Sequence, residues 1–162
     1  TSWKNILLNK VWVTLIFFHF IIVYGDNLVN VNYNTLLNFH LKNKSDVTFT
    51  LYSTSMNVHS SYASSEVIIK KNKIYNFQEF TPKNNINIEK LVNAGVIIIN
   101  TKILKYIPKN QYFDISKDLV PIILKNKKIN IMGYKLPKKK YCLSFDTPKS
   151  IKLSKKKFRK LI

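Results

Sequence analysis

Asp26 is the side chain whose setting in the sequence points most directly to chemistry. It stands between Gly25 and Asn27, directly after Phe20 to Tyr24, a run of β-branched and aromatic residues that reads as a buried strand entering a loop. In open α/β sheets ligands gather at the carboxyl ends of strands, where a carboxylate can hold a hard cation against phosphate oxygens. The same three residues can equally serve as a plain turn, so both uses stay open at this level. Gly95 is the second marked position, because it interrupts the apolar run Val92 to Ile99. A glycine inside a strand often marks the close approach of another backbone or of a ligand. The other reactive side chains offer less. Cys142 is the single cysteine, which excludes an intrachain disulfide or a cysteine-rich zinc site, and it reads as a small core residue in a reducing cytoplasm. His19, His40 and His59 show no metal-ligand spacing and default to structural or surface roles.

These positions must be held by a framework, and the pattern supplies one. Leu36, Leu37, His40 and Leu41 recur at helical spacing between Asn34 and Lys44, behind an asparagine cap. Asp46 to Tyr52 then alternates, with Val47, Phe49 and Leu51 on one face and Thr48 and Thr50 on the other. Strand, helix, strand is a βαβ unit, which predicts a parallel sheet. Glu66 to Ile69 and Ile74 to Phe77 flank Lys70-Lys71-Asn72-Lys73 as a hairpin. Ser116 to Leu124 reads as a short helix capped by Ser116, with Asp118 in its first turn. Ile129 to Leu136 and Tyr141 to Phe145 read as strands, and Thr147 to Ile162 as a lysine-rich, partly helical tail. One domain is the ceiling that 162 residues suggest.

Taken in order, FIIVYGDNL (20–28), SSYASSEV (60–67), NFQEF (76–80), LVNAGVIII (91–99), FDISKDLVPIILKNKKINIMGY (113–134) and LSFDTP (143–148) resemble the sugar-phosphate nucleotidyltransferases. The phrasing is similar to the mannose-1-phosphate and heptose-1-phosphate guanylyltransferase branch. The resemblance implies an α/β fold with a Rossmann-like, mixed, mostly parallel sheet flanked by helices, as in glycosyltransferase-A-like enzymes. It also implies transfer of a nucleotide from a nucleoside triphosphate to a sugar 1-phosphate, with magnesium as cofactor and release of pyrophosphate. By that resemblance Asp26 matches the catalytic, magnesium-ligating aspartate, and Gly25, Tyr62, Ala63, Glu79, Asn93 and Gly95 fall at substrate positions. Ser144 stands where a second metal-ligating aspartate is expected, and Asp146, two residues along the same strand face, is the substitute ligand.

The departures from the family pattern shape the expectation. The resemblance divides the chain into a divergent apolar lead-in (1–19), a partial nucleotidyltransferase domain (20–150) and a lysine-rich tail (151–162), without the family's N-terminal strand and glycine-rich triphosphate loop. Phe80 replaces the lysine that follows the family's glutamate, and Ala63 replaces a glycine. The chain alone is therefore expected to be impaired in catalysis, or to survive as a sugar-phosphate-binding or regulatory module, with a homo-oligomer or a complementing chain as partner.

The net charge of +19, from 27 basic and 8 acidic residues, opens a further reading as a basic nucleic-acid-binding protein. Against it, all the basic residues but Arg159 are lysines, which lack the forked geometry used to read bases. No specific nucleic-acid partner is expected. Val11 to Tyr24 is the most apolar window, and its 14 residues include Thr14 and His19, short of the roughly 20 a spanning helix needs. The expectation is a cytoplasmic protein with no membrane span.

Overall fold

The computed structural model describes residues 18–60, 66–78 and 90–160. Its elements are β1 (His19–Val23), β2 (Asn27–Val29), α1 (Tyr33–Lys42), β3 (Val47–Ser53), β4 (Val58–His59), β5 (Glu66–Lys70) and β6 (Lys73–Gln78). They continue with β7 (Leu91–Asn100), a 3-10 turn (Thr101–Tyr106), a π-helical turn (Ile115–Leu119), α2 (Val120–Lys125), β8 (Ile131–Lys135), β9 (Tyr141–Ser144) and α3 (Pro148–Phe158).

A six-stranded sheet in the order β1-β7-β3-β8-β6-β5 carries the fold, and β2, β9 and β4 form a smaller one. The main sheet is mixed. Among the described residues only β3 and β8 pair in parallel within it, whereas β1–β7, β3–β7, β5–β6 and β6–β8 are antiparallel, which corrects the expected predominance of parallel pairing. The reason is β7, which inserts between the two strands of the β1-α1-β3 unit. Both run antiparallel to it, so they keep a common direction without touching.

Each face of the sheet is covered, which explains why all seven residues of β3 are buried despite their alternation. Val47, Phe49 and Leu51 join Ile97, Ile99 and Ile131 beneath Leu119, Val120 and Ile123 of the π turn and α2, together with Val67 and Ile74 of the hairpin. On the opposite face Leu36 of α1 packs on Val96 and Ile98, and Cys142 and Leu136 pack on Tyr52, Val92 and Ala94. Thr48, which meets His40 of α1, and Thr50 are thus fully buried on this face. Gly133 in β8 lets the hairpin close in, since a Cβ there would lie 2.6 Å from Leu51 and 3.1 Å from Ile69.

The helix starts differ from expectation by one choice of cap each. α1 is capped by Asn32, not Asn34, with Asn32 Oδ1 accepting from the Thr35 N–H at 2.9 Å. The second helical segment is capped by Asp114, not Ser116. Asp114 Oδ1 accepts from the N–H groups of both Ser116 and Lys117, and its own N–H donates to Asp118 Oδ2. A carboxylate that satisfies two orphan donors outcompetes a hydroxyl that could reach one. α3 runs across the expected boundary at 150/151 and is packed in place, with Ser150 and Ser154 buried. Among the described residues no helix is long and apolar enough to cross a membrane.

Candidate active site at the ends of β1 and β9

β1 delivers Tyr24, Gly25 and Asp26 into the turn before β2, where Asp26 is exposed. The turn is tied to β7 by the Tyr24 N–H, which donates to Gly95 O at 2.8 Å. Gly95 has φ +81°, in the left-handed region that favours glycine, and it sits where the β3–β7 register slips between Phe49 and Leu51. A Cβ there would meet Tyr24 Cβ and Asn27 Nδ2, each at 3.0 Å. The close approach expected at this glycine is therefore made by the chain's own turn. Asn93 holds the bulge from within, its Oδ1 accepting the Gly95 N–H at 3.0 Å.

Asp146 arrives from the other side. β2 pairs with β9 so that Asn27 faces Ser144, and the Phe145 N–H donates to Asp26 O at 2.8 Å, which carries the pairing one step further. The two aspartates therefore lie on neighbouring segments at one end of the molecule. Asp146 is exposed just ahead of α3, and the Ser150 hydroxyl donates to its Oδ1 at 2.6 Å. That bond, with a smaller one from Ser144, holds the Asp146 carboxyl below its ordinary range and keeps it ionised. Ser144 is buried: its N–H donates to Ser60 Oγ, and its carbonyl accepts from Ser154 Oγ at 2.7 Å. Asp26 receives the Asn27 side-chain amide at 2.8 Å on Oδ1.

Tyr24 was not evident as a site residue from sequence, where it only ends an apolar run. Burial raises its phenol above the ordinary value; hydrogen bonds from Ser116 and Asn93 oppose the shift, while Asp114 and Asp26 add to it. The start of the π turn is thereby brought against the β1 loop. A tyrosine immediately before Gly-Asp was the available signal. Tyr62, Ala63 and Glu79 lie outside the described residues. Cys142 is a core thiol, as expected: burial, with Asp26 adding to it, pushes its pKa up to about 12, and Sγ lies 3.7 Å from Ala94 O.

Among the described residues no three His, Cys, Asp or Glu side chains come together as a metal cage. Two carboxylates at one loop junction are a different donor set, suited to a magnesium ion that completes its shell with phosphate oxygens and water. Asp26 and Asp146 fit that set in number, type and charge.

No protein-family model matches the sequence. The chain is 31% identical over 113 residues to a glucose-1-phosphate adenylyltransferase of Acetivibrio thermocellus, covering 65% of this chain and 25% of that protein. It is 28% identical over 103 residues to a UTP--glucose-1-phosphate uridylyltransferase of Synechocystis, covering 63% and 26%. The chain thus spans about a quarter of the length of these curated relatives. Its fold matches the crystal structure of HddC from Yersinia pseudotuberculosis complexed with GMP-PN, with a TM-score of 0.64 at 19% identity over 87% of this chain and 56% of that one. The chain is thus similar in sequence to sugar-1-phosphate nucleotidyltransferases over about two thirds of its length, and it shares the α/β fold of the solved structure.

Proposed function

We propose that the chain carries the metal- and sugar-phosphate-binding part of a nucleotidyltransferase that joins a nucleoside triphosphate to a sugar 1-phosphate in the cytoplasm. A sugar-phosphate oxygen forms a bond to the α-phosphorus, the bond from that phosphorus to the bridging oxygen breaks, and pyrophosphate leaves. The observation that supports this most is the convergence of Asp26 and Asp146 at the ends of β1 and β9. When bound there, magnesium would neutralise charge on the phosphates during transfer. Asp26 is the principal ligand in this reading, and Asp146, kept ionised by Ser150, is the second. Asn93 and Gly95 act on the sugar site from beneath, by holding the bulge against which the Tyr24–Asn27 turn closes, and Gly25 leaves the loop backbone open above it. Tyr62, Ala63 and Glu79 complete the sugar site by resemblance.

Catalysis by this chain alone is impaired in the same reading. Its three glycines, Gly25, Gly95 and Gly133, form no run that could cradle a triphosphate, and Phe80 supplies no cation. Removing one preorganised electrostatic contact typically costs on the order of 100–1,000-fold in rate. The relatives and structural neighbours carry adenine, uracil and guanine nucleotides in their names, so the base is left unassigned. β1 is the outer strand of the main sheet among the described residues, with Ile21 and Val23 exposed, which favours a further strand or a complementing chain along that edge.

Calorimetry of the purified chain with glucose 1-phosphate and Mg2+ tests the site. Binding that needs Mg2+ and is lost in Asp26→Asn is expected, together with nucleotide-sugar formation at or near the buffer blank. Binding indifferent to both Mg2+ and Asp26 would overturn the assignment, and robust turnover would overturn the impairment.

A further inference from the structure

The edge of the sheet opposite Asp26 carries two adjoining grooves. Asn43 and Asn130 mark this edge, since both meet the backbone around the start of β3, whereas Asp26 follows the end of β1, which runs the same way. One groove, of about 490 Å³, is lined by Lys70, Lys71, Lys73 and Tyr75 together with these two asparagines. The other, of about 340 Å³, shares Lys73 and Tyr75 and adds Asn126 and Lys127. Among the described residues no acidic side chain lines either groove.

Two local features make this more than a solvated basic surface. Lys71 and Asn72 have φ of 48° and 65°, so the hairpin closes in a two-residue turn that sets Lys70 directly opposite Lys73, with Lys71 between them. Like charges facing across a strand pair are destabilising, and among the described residues no carboxylate lies within ion-pair distance of these three. An anion between them would relieve that cost. The second feature is a bulge: Ile68 faces Asn76 while Ile69 faces Ile74, leaving Tyr75 unpaired. Tyr75 is 58% exposed and lines both grooves. Bulges re-aim side chains.

We propose that this edge binds single-stranded nucleic acid without reading its sequence. The lysines contact consecutive phosphates and the Tyr75 ring stacks on a base, the pairing by which sequence-tolerant single-strand sites work. Lysine is a point-charge contact for phosphate and lacks the fork that discriminates bases, so sequence preference is absent. This surface is independent of the nucleotidyltransferase site.

Fluorescence anisotropy of the full chain with a labelled 12-nucleotide single strand, from 50 to 300 mM NaCl, tests the proposal. The Lys70→Gln, Lys71→Gln, Lys73→Gln triple variant is expected to bind at least tenfold more weakly and to lower the salt slope by about 2, at about 0.7 per phosphate contact. Tyr75→Ala is expected to weaken binding about fivefold or more with the slope unchanged. Lys152→Gln, Lys155→Gln, Lys156→Gln on α3 removes the same charge from another face and should cost less than threefold. Equal losses from the two triple variants would assign the binding to net charge and overturn the proposal. So would tighter binding to phosphatidylserine vesicles, or no binding by the parent chain, with thermal melts confirming that the variants fold.

Discussion

Gly95 shows how far a single residue can be read. Its oddness was legible, since glycine in the middle of Leu91–Asn100 has no reason to be there unless something comes close or the backbone turns to positive φ. Both are true, but the approaching groups, Tyr24 and Asn27, come from a distant loop and could not be named from spacing. Gly95→Ala is expected to destabilise the chain by about 1–3 kcal/mol, because alanine is strained at φ +81° and its Cβ meets two neighbours at 3.0 Å. Urea denaturation followed by circular dichroism checks this, and an unchanged midpoint would mean that the turn simply moves aside. Asp26 was equally legible, as a carboxylate at a strand end. Its pairing with Asp146 was less so, because it depends on β2 and β9 forming a ladder that three and four residues barely announce.

At the scale of elements, most strands and helices were visible as apolar periodicity, whereas their partners were not. Local pattern carries burial, but the insertion of β7 between β1 and β3 is a long-range pairing with no local signature. Helix α1 illustrates the same divide. Its buried stripe includes His40, which reads as an amphipathic position in sequence and turns out to be fully buried, with Nδ1 2.7 Å from Thr48 Oγ1. Burial lowers the His40 pKa to about 4; His19 contributes to the lowering and Asp46 opposes it. The folded chain thus refuses a proton that the unfolded chain accepts at its ordinary value near 6.5. Stability is full above that value and falls as pH drops through the window from 6.5 to about 4, by roughly 2 kcal/mol between pH 7 and pH 5. His40→Gln should flatten this slope in urea titrations at the two pH values. A slope identical to that of the parent would show that other groups carry it. Helix α3 rests on hydroxyls: Ser154 Oγ bonds Ser60 Oγ at 2.6 Å and donates to Ser144 O at 2.7 Å. Ser154→Ala should cost about 1–2 kcal/mol by leaving those partners short, measurable as a lower urea midpoint.

For the whole molecule, the charge was legible as a number, and only the fold shows its distribution. Of the acids in the described residues, Asp46 is bound to Lys102 at 2.5 Å and to the Asn130 N–H, and Asp114 and Asp118 cap a helix start. Asp26 and Asp146 stand at the candidate active site, and Glu66 lies at the far end of β5 from Lys70. Among the described residues these six acids face a large excess of lysines, and the chain as a whole carries +19. Self-repulsion of that size destabilises folding, and salt screens it over about 10 Å at 0.1 M and less at higher concentration. The thermal midpoint is therefore expected to rise by several degrees between 50 and 500 mM NaCl. A flat response would mean that the lysines are far enough apart in the fold to ignore one another, and a falling one that attractive pairs dominate. Repeating the melt in phosphate at matched ionic strength separates screening from binding. Screening alone gives the same midpoint in both salts, whereas an anion held at Lys70, Lys71 and Lys73 adds a further rise that the glutamine triple variant removes.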